Sequence, residues 1–243
     1  MDNKKKLFIV SDIHGHYTLL REALNTAGFD NDNPEHLLIC CGDYFDRGKE
    51  NLEVLKFFER LKHKVLLRGN HEDLLLKLLQ TGKVLPHNYI NGTMITLENF
   101  LGKYSINPID DTIDFSGKSR IVDRVCEFIN ETMNYFETEN YVLVHGWLPE
   151  NIKTSQELST VTDGLWEKAR WTKWTEKYDC LKPLEDKTLI CGHVPTFYAT
   201  KFDKNRDKND FGIFHGNGII VIDAGTFDTK QVNVLVLEDN LLE

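Results

Sequence analysis

The stretch LLICCGDYFDRG, residues 37–48, decides the architecture, because a short aliphatic run passes without a break into a polar turn that contains glycine. Leu37, Leu38, Ile39, Cys40 and Cys41 show no apolar–polar alternation, which reads as a strand covered on both faces. The same arrangement recurs on either side. LFIV (7–10) precedes SDIHG, VLL (65–67) precedes RGNHE, YVLV (141–144) precedes HGW, LIC (189–191) precedes GHVP, and IIVI (219–222) precedes DAG. Helical spacing fills several gaps: Leu19, Leu20, Ala23, Leu24 and Ala27; Leu52, Leu55 and Phe58; and Ile121, Val122, Val125, Ile129 and Met133 across Arg120–Phe136. Strands alternating with helices imply an α/β fold with a substantial parallel component. In such sheets the carboxyl ends of the strands gather along one edge, where ligands bind.

Two segments lie outside this grammar. From about Gln80 to Tyr141 there is no strand–turn motif and the pattern is mostly helical, so this span reads as an insertion or cap. KFDKNRDKNDFG, residues 201–212, is charged and turn-rich and reads as a solvated loop.

A chain of 243 residues can bury a sizeable core. Its net charge of -9 argues against binding a nucleic-acid polymer, which normally needs a basic face. An anionic substrate stays open, since a local cluster of cations outweighs distant carboxylates. The opening MDNKKKLFIVSDIHG has only four consecutive apolar residues, Leu7 to Val10, so neither a secretory signal nor a membrane association is expected. The five cysteines (Cys40, Cys41, Cys126, Cys180, Cys191) show no C-x-x-C spacing, and three sit in or beside apolar runs. That usage suits a reducing compartment, and a cytoplasmic location is the expectation.

The chemistry-bearing residues stand at the strand ends. Asp12 and His14 flank Ile13 after the first run; as i and i+2 side chains of an extended chain they share a face and can reach one cation. Asp43, Asp46 and Arg47 follow the second run, Asn70, His71 and Glu72 the third, His145 the fourth and His193 the fifth. Aspartate, asparagine and imidazole form a mixed oxygen and nitrogen donor set, suited to manganese, iron or zinc rather than to a thiolate site. Each motif alone has a plainer reading. A single histidine serves as well in a structural hydrogen bond, Asp43 as a turn former, and Asn70 with His71 as the cap of a helix beginning near Glu72. Their concurrence, in order and each on a strand end, favours a shared metal site. His16, His36, His63, His87 and His215 lack such support and read as surface or helix residues. Asp223 reads equally as a turn carboxylate or as a partner that orients a ligand histidine.

Taken in order, SDIHG, GDYFDRG, GNHE, HG and GH resemble the GDxHG, GDxVDRG, GNHE, HG and GH of the PPP-type metallophosphoesterases, from Asp12 to about Thr226. GNHE, the W-x-x-x-R within LWEKAR and the late IDAG make the chain similar to the bacteriophage lambda-like branch of bacterial serine/threonine protein phosphatases. Ser11 stands for the first glycine, which should be tolerable because the ligand is the next residue, and Phe45 for the valine, another apolar residue that should not disturb ligation. The resemblance implies a calcineurin-like metallophosphoesterase fold, a central β-sandwich flanked by helices, as one domain over 1–243 with the helical insertion at about 81–140. It implies two divalent metal ions, manganese being the expectation and iron or zinc also fitting. Asp12, His14 and Asp43 would hold the first, and Asp43, Asn70, His145 and His193 the second. Arg47 and Arg170 would hold phosphate, and His71, oriented by Asp46, would be the general acid while a water bridging the metals attacks. The expected partner is a phosphoprotein or a small phosphoester. A dinucleoside polyphosphate hydrolase of the diadenosine tetraphosphate type is the alternative; those relatives typically depart from DRG and close the third motif as NHD, whereas Asp46 and Glu72 are present here. A non-catalytic scaffold is the third reading, against which every matched position is filled.

Overall fold

Both faces of the first strand are buried, and this double burial sets the layering. The structure, a computed structural model, describes residues 4–242. In β1 (Lys4–Val10), Leu7 and Ile9 face one buried layer while Phe8 and Val10 face another. β2 (His36–Cys40) and β3 (Lys64–Leu66) follow in parallel, with Val10 in register with Cys40 and Cys40 with Leu66. β4 (Tyr135–Glu137), β5 (Tyr141–Val144), β6 (Thr188–Cys191), β7 (Phe214–Gly216) and β8 (Ile219–Val221) make a second sheet in the order β4-β5-β6-β8-β7. β9 (Leu235–Asn240) returns antiparallel to β1 and completes the first sheet as β3-β2-β1-β9. Between the sheets lies an aliphatic layer that includes Leu7, Ile9, Ile39, Leu143, Ile190 and Ile222. The expected sandwich is therefore present, and its parallel strands β1, β2, β3 and β5, β6, β8 account for all six strand–turn motifs.

Helices cover the outer faces. α1 (Tyr17–Ala27) buries Leu20 and Leu24 and ends at Gly28, whose left-handed φ of 80° lets its N–H turn back to Leu24 and Asn25. α2 (Asn51–Arg60) buries Val54, Leu55 and Phe58, and α3 (Asn70–Thr81) buries Leu75, Leu78 and Leu79. The span after α3 forms α4 (Pro86–Ile90), α5 (Thr93–Leu101) and α6 (Ser119–Asn130). Leu97, Phe100, Val122, Val125 and Phe128 from these helices join the same buried cluster as Phe8 and Val10. α7 (Asp163–Trp171) packs Trp166 and Ala169 into the cluster over the second sheet. Residues 201–212 are turns and bends, mostly exposed, with Arg206 tied to the Gly212 carbonyl at 2.6 Å.

One expectation needs correction. The apolar spacing across Arg120–Phe136 suggests a single helix, yet α6 stops at Asn130. Arg68 Nη2 takes the Ile129 carbonyl at 2.6 Å, Met133 bridges to Leu67, and the aromatic pair Tyr135–Phe136 joins β5 as an antiparallel strand. Tertiary pairing overrides a local period that fits both states. Cys40, Cys41 and Cys191 are buried and free, as small core hydrophobes are. Among the described residues no helix is long and apolar enough to cross a membrane.

Ile190 belongs to the apolar layer between the sheets and is 0% exposed. Ile190→Ala is expected to cost about 2–5 kcal/mol through lost transfer energy and a residual cavity. Urea denaturation checks this, and an unmoved midpoint would contradict the packing described.

Candidate metal centre

Backbone hydrogen bonds tie the turn after β1 to the turn after β2. Asp12 N donates to the Gly42 carbonyl at 3.1 Å, His14 N to Asp43 O at 3.0 Å and Gly15 N to Tyr44 O at 2.8 Å. The turn after β3 is held to the turn after β2 by two carboxylates, Asp43, whose Oδ1 accepts from His71 N at 3.1 Å, and Glu72. Glu72 Oε2 accepts from Asp43 N at 2.8 Å and Gly69 N at 2.9 Å, while Oε1 accepts from Tyr44 N at 3.0 Å. From the second sheet, Gly192 N donates to His145 O at 2.8 Å and His193 N to Asp12 Oδ2 at 2.9 Å. Only glycine fits at 192, since a Cβ there would overlap Ser11 Oγ and Asp12 Oδ2. Asp12, His14, Asp43, Asp46, Arg47 and His193 all take left-handed backbone conformations, with φ between 48° and 73°. Non-glycine residues at such angles store strain that the surrounding contacts must hold, and such residues cluster at functional sites.

The side chains then converge on Asp43. His14 Nε2 lies 3.7 Å and His71 Nε2 3.9 Å from its Oδ2, and His145 Nε2 lies 3.4 Å from its Oδ1. Two groups, His14–Asp43–His71 and Asp43–His145–His193, each bring their ligating atoms within 4.8 Å of one another, and Asp43 belongs to both. The tautomers follow from the carbonyls. His14 Nδ1 faces Phe45 O at 2.9 Å and His145 Nδ1 faces Cys41 O at 2.7 Å, so each Nδ1–H donates there and each Nε2 lone pair turns inward. His145 Nε2 meets Asn70 Oδ1 at 2.9 Å, a meeting of two acceptors that a cation reconciles.

The electrostatics point the same way. Burial, with Arg47 and His71 adding to it, holds His14 well below the usual histidine range, and burial with His145 brings His193 to about 3. Both are neutral imidazoles, the state that binds a metal. Burial opposes ionisation of Asp43, but the imidazoles around it, His145 and the charged His71 foremost, pull its carboxyl below the ordinary value. Burial raises Asp12, and burial with Asp12 raises Asp223 well above the carboxylate range. Carboxylates crowded in this way lack compensating positive charge, which divalent cations would supply. The residues present fit a pair of such ions.

His71 differs from the other histidines. Burial works against its charge, yet Asp43 and the hydrogen bond to Asp46 carry it to about 9. Its Nδ1 lies 2.7 Å from Asp46 Oδ2. Asp46, fully buried, also accepts from Thr96 Oγ1 and Thr93 Oγ1, each at 2.9 Å.

The predicted residues Asp12, His14, Asp43, Asn70, His71, His145 and His193 thus share one centre with Asp46 behind it, and Arg47 stands on the rim, half-buried. Arg170 is buried on α7, where its guanidinium forks onto Asp73 at 2.7 and 3.1 Å and reaches Asn134 at 2.7 Å. Asp223 Oδ1 accepts from Gly225 N at 2.7 Å, the turn-carboxylate arrangement. His63 and His215 are exposed and His16, His36 and His87 half-buried, and none belongs to the two groups that share Asp43. Sequence reasoning missed Thr93 and Thr96, for which no local motif exists, and the clamp made by Glu72, visible in GNHE only as a motif letter.

The chain belongs to the calcineurin-like phosphoesterase family, whose model matches residues 5–223. Its reaction class is accordingly phosphoester hydrolysis with divalent metals. The serine/threonine-protein phosphatase 2 of Salmonella typhimurium is 28% identical over 216 residues, spanning 88% of this chain and 90% of the relative. A symmetrical bis(5'-nucleosyl)-tetraphosphatase of Coxiella burnetii is 28% identical over 168 residues, spanning 66% of this chain and 50% of the relative. Among solved structures, a serine/threonine phosphatase from Saccharomyces cerevisiae superposes with a TM-score of 0.59 at 14% identity, covering 98% of this chain and 81% of the other, which supports the fold.

The clamp is open to test. In Glu72→Gln an amide NH₂ must replace one of the two accepting oxygens and face an N–H, which costs about 1–3 kcal/mol for the unsatisfied donor. A lowered denaturant midpoint is expected; equality with the parent would show that the turns do not depend on this carboxylate.

Proposed function

We propose that the chain is a metal-dependent serine/threonine protein phosphatase that hydrolyses phosphate monoesters with His71 as general acid. The observation that carries this reading is the 2.7 Å contact between His71 Nδ1 and the buried carboxylate of Asp46. In this reading Asp12, His14 and Asp43 hold one divalent ion and Asp43, Asn70, His145 and His193 the other, with manganese as the expected metal. When bound, such ions polarise phosphoryl oxygens and lower the pKa of a bound water. Arg47 offers planar donors to the phosphate from the rim, as lysine could not. Arg170 would join it only through the part of its guanidinium not committed to Asp73 and Asn134.

A serine or threonine alkoxide is strongly basic and leaves only with a proton. Asp46 takes the Nδ1–H, which keeps the Nε2 proton of a charged His71 on the side facing Asp43, where it can be given to the leaving oxygen. A nucleoside diphosphate leaves without such help. That difference favours phosphoprotein over dinucleoside polyphosphate, although the Coxiella burnetii relative keeps the second substrate as the alternative.

His71→Asn is expected to lower turnover of a phosphoserine peptide by about 10²–10⁴-fold, with a smaller loss on an aryl phosphate; equal losses would remove the acid role. Asp43→Asn should deplete bound metal, measured by elemental analysis, and an unchanged two-metal content would contradict a bridging carboxylate. Side-by-side hydrolysis of a phosphoserine peptide and diadenosine tetraphosphate decides the substrate class, much faster cleavage of the nucleotide overturning the choice made here.

A further inference from the structure

We propose that Thr93 and Thr96 of α5 are positioning residues that hold Asp46 in the one orientation from which it can direct the proton of His71. The inference rests on the reading of His71 as general acid. It extends that reading to a helix that carries none of the strand-end motifs.

The geometry determines the direction of each hydrogen bond. Asp46 N donates to Thr96 Oγ1 at 3.0 Å, so that oxygen's lone pair is engaged and its own proton points to Asp46 Oδ1 at 2.9 Å. A closed ring results, running from the Asp46 backbone through Thr96 to the Asp46 carboxylate, and it stops rotation of the carboxylate. Thr93 Oγ1 donates to Oδ2 at 2.9 Å, the same oxygen that takes His71 Nδ1 at 2.7 Å. Both threonines are 0% exposed, so bulk water does not replace these donors. Their spacing of three on α5 puts them on one face of the helix, and branching at Cβ limits each hydroxyl to few rotamers. Asp46 itself sits at φ 73°, outside any regular element, where its backbone is held by Gly48 N on Asp46 O at 2.6 Å and by Thr96 Oγ1 on Asp46 N. Asp46 lies in the turn after β2 and His71 at the start of α3; α5 is the third element that keeps their relation fixed.

A carboxylate free to turn would still carry its charge but would no longer present Oδ2 in line with Nδ1. The acid would then be misaligned, and only reactions needing a proton in the transition state would suffer. Substrate binding, governed by the rim, would not.

The test compares Thr93→Val, Thr96→Val, the double valine variant and the double variant Thr93→Ser with Thr96→Ser, all loaded with manganese and assayed on a phosphoserine peptide and on p-nitrophenyl phosphate. The double valine variant is expected to lose about 10-fold or more in kcat on the peptide, bounded above by the full acid contribution, with an unchanged KM and a loss below about 3-fold on the aryl ester. The serine pair keeps both hydroxyls and should recover the peptide rate. A readout independent of turnover is the downfield proton resonance of His71 Nδ1–H in the metal-free protein. It should be present in the parent and the serine pair and lost in the double valine variant. If His71→Asn discriminates between the two substrates but the valine variants do not, this proposal fails and the acid assignment stands. If His71→Asn itself reduces both substrates equally, both readings fall. Should the double valine variant not fold, the single variants and the serine pair decide by the same ratio and the same resonance.

Discussion

One buried carboxylate holds the centre open. Glu72 accepts three backbone N–H groups, from Asp43, Tyr44 and Gly69, and so joins the turn that ends the second strand to the turn that ends the third. Burial and the nearby Asp43 raise its pKa to about 7, so the clamp works against its own desolvation and depends on those N–H donors for its charge. Without it the Asp43 N–H would lose its acceptor, leaving His14 N on Asp43 O as the backbone tie at φ 56°, and the carboxylate common to both candidate ligand groups would be less firmly aimed.

Around that clamp the molecule accumulates negative charge it cannot neutralise with protein groups alone. Asp12, Asp43, Glu72 and Asp223 are all buried within one region, and burial pushes three of them upward. The imidazoles of His14 and His193 remain neutral and contribute lone pairs rather than charge. The arrangement is unfavourable as a set of protein groups and favourable as a coordination sphere, which is how affinity for small, highly charged cations is built.

The strand ends were legible in the sequence because each required two signals together, an aliphatic run without alternation and a turn rich in aspartate, histidine and glycine. Both are local. Asp12, Asp43, Asn70, His145 and His193 could therefore be placed without knowing the sheet order, although not that β9 would close the first sheet against β1. What stayed hidden was non-local. The end of α6 at Asn130 depends on Arg68 and on pairing with β5, neither visible in a window around residue 130. Thr93 and Thr96 are unremarkable letters in a helix until α5 packs over Asp46. The rotation of Arg170 toward Asp73 likewise depends on α3 and α7 lying side by side.

The left-handed backbone at Asp12, His14, Asp43, Asp46, Arg47 and His193 has a consequence for anyone seeking a hardier variant. Strained positions are the natural first targets for stabilisation, and glycine is the residue that relaxes them. Here each such replacement would delete a side chain that converges on Asp43 or stands beside that cluster. Relief of strain is better sought at the left-handed positions outside the cluster, Asp111, Asn151, Cys180 and Lys230, because inside it a more comfortable chain comes only with the loss of the converging side chains.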